Sequence, residues 1–501
     1  MPPRATGLSL TAYRFPSPDK LIPMLLIADV WTMTEAGRAE AVYLEGDRIA
    51  DVGLEQDLAA RYPKAKRVRL ERVTPGLHDA HTHPLGWGEQ LERLDLSGVH
   101  DPREAARRVA ERAKGLPPGT WVRGAGYLFD HYPHRSVLDE RVPDHPVFLR
   151  SRDLHSGWAN TRALELAGVT RETPDPSGGA LVRDGDGEPT GYLLETAQGY
   201  IHRILPKGSV ADLERGLRDL ARRGYTATHH MGWCPLEYPE ELARSGWLPV
   251  RLWWAMDKDN WQGVWPGWRG DSLEVAAVKF FADGALGSRT AWMVEPYPGG
   301  GHGIALDPLE YIREQGEAAL RAGFGVVTHA IGTQAVRGLL EVYAQLAPLA
   351  SAARPLRMEH AQHVRDEEMP RFEGLPMALS IQPIHALEDA DLVRHHLPGK
   401  EREAFRLRDL WDTGLPMAFG SDAPVAPPDL LAGIQAALRN PVNPAQSLTE
   451  EETLWAFTRG AALAAGWPHH GLIRPDAPAD LTLWEGGKPV GRGFRGEVEL
   501  G

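Results

Sequence analysis

Two histidines, His81 and His83, close an apolar run at residues 73–83 (VTPGLHDAHTH), with Thr82 between them. Residues two apart on an extended strand point the same way, so both imidazoles can converge on one ion. Three similar runs end in comparable residues: FGVVTH at His329, LRMEH at His360 and PMAFGSD at Asp422. Imidazole nitrogens and a carboxylate are good ligands for Zn²⁺ and similar ions. Lys279 differs, because it sits inside the apolar run VAAVKFF (275–281), where an unpaired ammonium is costly. A lysine with a depressed pKa can serve as a nucleophile or Schiff base. Beside two cations it can instead react with carbon dioxide, giving a carbamate anion able to bridge them. Lysine is scarce, with 9 lysines among 55 basic residues, which makes this apolar placement harder to ascribe to chance. A lone strand-end histidine is usually a surface or hydrogen-bonded residue. Four histidines, an aspartate and an inward lysine at matching run ends are a different matter.

The elements that must hold them repeat along the chain. Eight short apolar runs end in polar residues, at 73–83, 225–232, 250–256, 275–284, 324–332, 356–363, 377–385 and 416–424. Helix-like stretches such as 310–323 and 333–347 separate several of them. This alternation predicts an α/β fold, a (β/α)₈ barrel over residues 74–465, with the polar residues on its C-terminal face. The first interval is long, so an insertion is expected at about 85–224, with a Pro/Gly/Asp-rich loop at 174–189. Residues 24–73 alternate apolar and polar positions around a Gly-Asp turn at 46–47, and residues 466–501 hold a turn and strand. The two ends together predict one small β-domain.

Composition narrows the function classes. The 501-residue chain has 55 Lys+Arg against 68 Asp+Glu, a net charge of −13, which argues against a general nucleic-acid binder. The single cysteine, Cys234, forms no intrachain disulfide and fits a cytoplasmic address; no Cys-His setting makes it a nucleophile. No window offers about 18 uninterrupted apolar residues, so no membrane span is expected. Residues 1–23 lack an apolar signal region and read as a dispensable leader.

The motifs PGLHDAHTH (75–83), VKFFADGALGSRTA (278–291), VVTHAIG (326–332), RMEHAQH (357–363) and FGSDAPV (419–425) resemble the amidohydrolase superfamily of metal-dependent hydrolases. Together they are similar to its amidohydrolase-3 branch, which includes N-substituted formamide deformylases. The resemblance spans about Ala28 to Leu483. It implies a distorted (β/α)₈ TIM barrel flanked by a β-sandwich from both chain ends, one or two divalent metals (usually zinc), and often a homodimer. It assigns His81, His83 and Asp422 to one metal and His329 and His360 to the other. Lys279, if carboxylated, bridges them. SRDLHSGWANTRAL (151–164) matches a substrate-contact segment, which makes His155 a candidate. Thr333 stands where the family often has Asp, and is expected to cap its helix equally well.

The implied chemistry is attack of a metal-bound hydroxide on an amide-type carbonyl, with Asp422 as base and then acid. His155, or alternatively His229 or His230, would stabilise the oxyanion. Trp is unusually abundant at 16 residues. Trp87, Trp233, Trp261, Trp265 and Trp292 follow runs one to four, and Trp158 neighbours His155. They predict an aromatic pocket for a hydrophobic N-substituent. Lactone or ester hydrolysis, deamination and a non-catalytic scaffold are the competing readings. Lys279 disfavours the deaminase, and the complete ligand set disfavours the scaffold.

Overall fold

A computed structural model describes residues 22–152 and 155–500; residues 1–21, most of the segment expected to be a leader, lie outside them. The chain divides into two compact units, one of residues up to Gly88 and from Val210 onward, the other Glu89–Ser209.

Eight parallel strands build the first unit's barrel. They are β1 (Leu77–Thr82), β2 (Tyr225–Met231), β3 (Arg251–Asp257), β4 (Leu273–Phe281), β5 (Gly325–Ala330), β6 (Leu356–His360), β7 (Met377–Ile381) and β8 (Met417–Phe419). Their spatial order follows the chain. Each predicted run overlaps one of these strands, with β3 ending one residue beyond its run and β4 starting two residues before its own, so the (β/α)₈ expectation holds. The strands are buried along almost their whole length, as parallel strands covered on both faces must be. Helices Leu309–Arg321 and Thr333–Leu346 supply the crossovers on either side of β5.

Closure is distorted, because β8 has only three residues. The edges meet through the loop after it: Thr82 bridges Ala423 in parallel, and Asp422 N–H donates to His81 O at 2.7 Å. The barrel therefore closes at the predicted ligands. Thr333 does not cap its helix. Its Oγ1 accepts Val294 N–H at 3.0 Å, and Gly332 is the cap residue. The carbonyl of Trp292 accepts the N–H groups of Gln334 and Ala335 instead.

Both chain ends form one seven-stranded sheet, in the order Glu497–Leu500, Lys488–Phe494, Leu481–Glu485, Lys66–Pro75, Met24–Trp31, Arg38–Glu45 and Arg48–Gly53. Leu483 pairs opposite Val73, which joins the C-terminal segment to the N-terminal one. Leu26, Val42, Val73 and Leu481 pack in one cluster, and Leu25, Ile27 and Tyr43 in another. Alternate residues thus serve opposite faces. The strand Lys66–Pro75 runs straight into β1 through Gly76, where a Cβ would lie 2.0 Å from Thr226 Oγ1. Only glycine fits there.

The Glu89–Ser209 unit falls within the predicted insertion. Its own six-stranded sheet includes Val122–Tyr127, Val147–Ser151, Ser156–Ala159 and Pro189–Glu195. Helix Val210–Arg222, inside the expected insertion, groups with the barrel unit instead. Among the described residues, no helix is long and apolar enough to cross a membrane.

Candidate metal centre

The ends of β1, β5, β6 and the loop after β8 bring the predicted ligands together. His81 and His83 use their two-residue spacing as expected: their Nε2 atoms lie 3.5 and 3.3 Å from Asp422 Oδ1. His360 joins them through backbone geometry. Its φ of 70°, with 43° at Ala361, turns the end of β6 so that its ring centroid lies 4.9 Å from that of His81. Asp422 is itself left-handed, with φ 61°. Non-glycine residues rarely adopt this conformation, and it concentrates at sites where geometry is held for a purpose.

One ligand atom each from His81, His360 and Asp422 lies within 4.8 Å of the other two. Donors about 2 Å from one ion stand at most about 4 Å apart, so a small inward shift of these side chains would bring them onto one ion. The turn leaves His360 beside both His81 and His329, so the geometry does not divide these residues between two ions. His329 remains adjacent, with its ring 4.4 Å from that of His360 and its Nε2 3.1 Å from Gly284 O.

The protonation states suit metal binding. Burial pushes His81 down to about 4 and His329 to about 3, so both imidazoles are neutral at pH 7. Burial alone would raise Asp422. The imidazoles of His81, His83 and His360 outweigh it and hold the carboxyl well below its ordinary range. Lys279 is 1% exposed, and its Nζ has no hydrogen-bond partner. Burial lowers its pKa to about 8. Orphaned buried nitrogens on Lys279, His83 and His360 beside an ionised aspartate are the donor set that a divalent cation completes.

These groups open into a cavity of about 890 Å³ whose lining includes His81, His83, Lys279, His329, His360 and Asp422. His385, at the end of the seventh run, is a residue the sequence reading passed over. It lines the cavity, and its Nε2 lacks a hydrogen-bond partner 4.0 Å from Asp422 Oδ2. Its place at the end of the seventh apolar run was the available signal.

The tryptophans divide. Trp233 lines the cavity, is 63% exposed, and stacks between His83 (4.9 Å) and Phe281 (5.2 Å). Trp87 is instead buried, and its indole N–H donates to Asp219 at 2.9 Å. Trp261 packs on Phe324, Trp292 packs against the barrel core, and Trp265 is exposed away from the described cavity lining. Trp158 belongs to the core of the Glu89–Ser209 unit, edge-on to Phe129, so it is a packing residue there. In the same unit His155 is exposed, with Nδ1 2.9 Å from Glu195 Oε2. His230 is buried and stacks on Trp254 at 3.6 Å, outside the described cavity lining. Both nitrogens of His229 are engaged, with Arg357 and His78, which removes it as an oxyanion donor. Burial raises the Cys234 thiol to about 12, which leaves it unreactive.

A sequence profile of the amidohydrolase family matches residues 71–492. The chain is 32% identical over 495 residues to the putative amidohydrolase YtcJ of Bacillus subtilis (strain 168), covering 91% of this chain and 93% of that protein. It is 26% identical over 504 residues to the N-substituted formamide deformylase of Arthrobacter pascens, with 92% of each chain covered. Among solved structures, an uncharacterized metal-dependent hydrolase from Pyrococcus furiosus superposes with a TM-score of 0.79 at 26% identity, covering 91% of this chain and 97% of that one.

Proposed function

The chain belongs to the amidohydrolase family of metal-dependent hydrolases, and on that premise we propose that it cleaves a C–N bond of the amide or formamide type in a small molecule. The observation that carries this reading is the convergence of His81, His360 and Asp422 within 4.8 Å at the floor of the cavity, beside the unpartnered Lys279. His81, His83, Lys279, His329, His360 and Asp422 are the residues to hold one or two divalent ions, zinc first by donor type. Such an ion, when bound, supplies Lewis acidity and a water that ionises near neutral pH.

The chain's own groups do the rest. Asp422, ionised and facing the imidazoles, takes the proton from the attacking water and delivers it to the leaving nitrogen. His385 Nε2 is the donor placed to meet the developing oxyanion. Lys279, if carboxylated, would supply an anion to help hold two such ions. A reducing cytoplasm suits the lone, partly buried thiol of Cys234.

Trp233 and Phe281 give the cavity a flat apolar wall beside His83, suited to an aryl or alkyl N-substituent. The test compares formyl, acetyl and aryl amides, with lactones alongside, in wild type and Trp233→Ala. Aryl amides are expected to be the better substrates. The variant should raise their KM roughly three- to tenfold and leave small amides unchanged. Lactones turned over in preference to every amide would overturn the assigned bond class. Equal KM changes for small and aryl amides would overturn the apolar wall.

A further inference from the structure

Under the candidate ligands, the barrel interior holds a row of polar side chains that hydrolysis does not itself call for. Arg357 and Glu359, two apart on β6, are both fully buried and paired: Nε donates to Oε1 at 2.7 Å and Nη2 to Oε2 at 3.1 Å. Nη2 also donates to the carbonyl of Ala80, the residue before His81. Nη1 donates to His229 Nδ1 at 2.8 Å, and His229 Nε2 lies 3.3 Å from His78 Nδ1. At the other end, Glu359 Oε2 lies 2.6 Å from His81 Nδ1.

Donor accounting fixes the hydrogens along this row. A guanidinium has no acceptor, so His229 Nδ1 must accept and its proton sits on Nε2, facing His78. A carboxylate against a buried guanidinium is ionised and only accepts. His81 Nδ1 therefore carries the proton, and Nε2 presents its lone pair toward Asp422, 3.5 Å away. A buried ion pair is weak evidence for stability, since apolar replacements are often neutral or better. Its place here is accounted for by what it does to His81.

We propose that Glu359, held by Arg357, is a positioning residue that fixes the tautomer and orientation of His81 so that Nε2 is its metal-ligating atom. By gripping Ala80 O, Arg357 also fixes the backbone of β1 beside that ligand. This inference rests on the reading of His81 as a metal ligand.

The test is zinc affinity by chelator competition, with the absorption spectrum of the cobalt(II)-loaded protein and thermal unfolding measured alongside. Glu359→Gln is the main variant. The double variant Arg357→Met/Glu359→Leu removes the pair without orphaning a charge. The control is Glu274→Gln, a buried glutamate at the start of β4 with its own Arg354 and Trp467 partners. Whichever of the first two folds should lose zinc affinity about 10- to 100-fold and show an altered cobalt spectrum, while Glu274→Gln keeps wild-type affinity. Wild-type affinity in Glu359→Gln or the double variant would overturn the inference, as would an equal loss in Glu274→Gln. A wild type that binds no divalent metal would overturn the metal reading itself, and the inference with it, before any variant is compared.

Discussion

Asp422→Asn is expected to lower kcat roughly 10²- to 10⁴-fold, the usual contribution of a positioned acid–base group, with metal retained or only partly lost. Asparagine has the same shape and tolerates the left-handed backbone that residue 422 adopts, at φ 61°. Its amide oxygen can still face His81 and His83, whose Nε2 atoms lie 3.5 and 3.3 Å from Oδ1. What it cannot do is hold a proton and pass it on. The loss should therefore appear in kcat more than in KM. Near-wild-type turnover in this variant would remove Asp422 from the proton-transfer role.

Lys279→Met is expected to lower metal content and turnover while leaving the metal-free protein more stable. Methionine fills a similar volume in β4 without a buried amine. In the metal-free protein the folded amine has its pKa lowered from 10.5 to about 8 by burial. A base with a depressed folded pKa costs stability at every pH below that value. The cost fades as pH rises toward 10.5, where the unfolded chain also releases its proton. Its full size is roughly 3 kcal/mol. Metal-free wild type should thus gain stability between about pH 8 and 10.5 relative to Lys279→Met, and the variant should be the more stable one at pH 7. The same lowered pKa leaves neutral amine to add carbon dioxide near pH 8, forming the N–C bond and releasing one proton. Added bicarbonate should then tighten metal binding in wild type and not in Lys279→Met. Full metal content and turnover in Lys279→Met would contradict the bridging role.

The barrel was legible because the strands are apolar runs with polar residues at or just past their ends, and all eight runs overlap a strand. The His81–His83 spacing was legible for the same reason, since strand alternation is a local property. Asp422 was readable as a residue type and as a neighbour of His81 and His83, whereas the left-handed backbone at 360 and 422, which overrides alternation and brings His360 beside His81, was not. Arg357 and Glu359 were the missed signal: two charges in the fully buried strand LRMEH, as anomalous there as Lys279 is in VAAVKFF. Aromatic residues carry no local mark of rim or core. Trp233 reaches the cavity, whereas Trp87 and Trp158, equally plausible in sequence, are core residues. Helix Val210–Arg222, inside the expected insertion, packs on the barrel core through Leu213, Leu217 and Leu220, a destination that its amphipathic pattern alone does not reveal.

The most direct test of the central claim is amide turnover measured against bound zinc per chain, starting from chelator-stripped protein. The account predicts negligible hydrolysis of the formyl, acetyl and aryl amide panel without metal, and activity that rises with bound zinc and saturates at one or two ions per chain. Undiminished hydrolysis by stripped protein, or full zinc loading with no amide turned over, would contradict it.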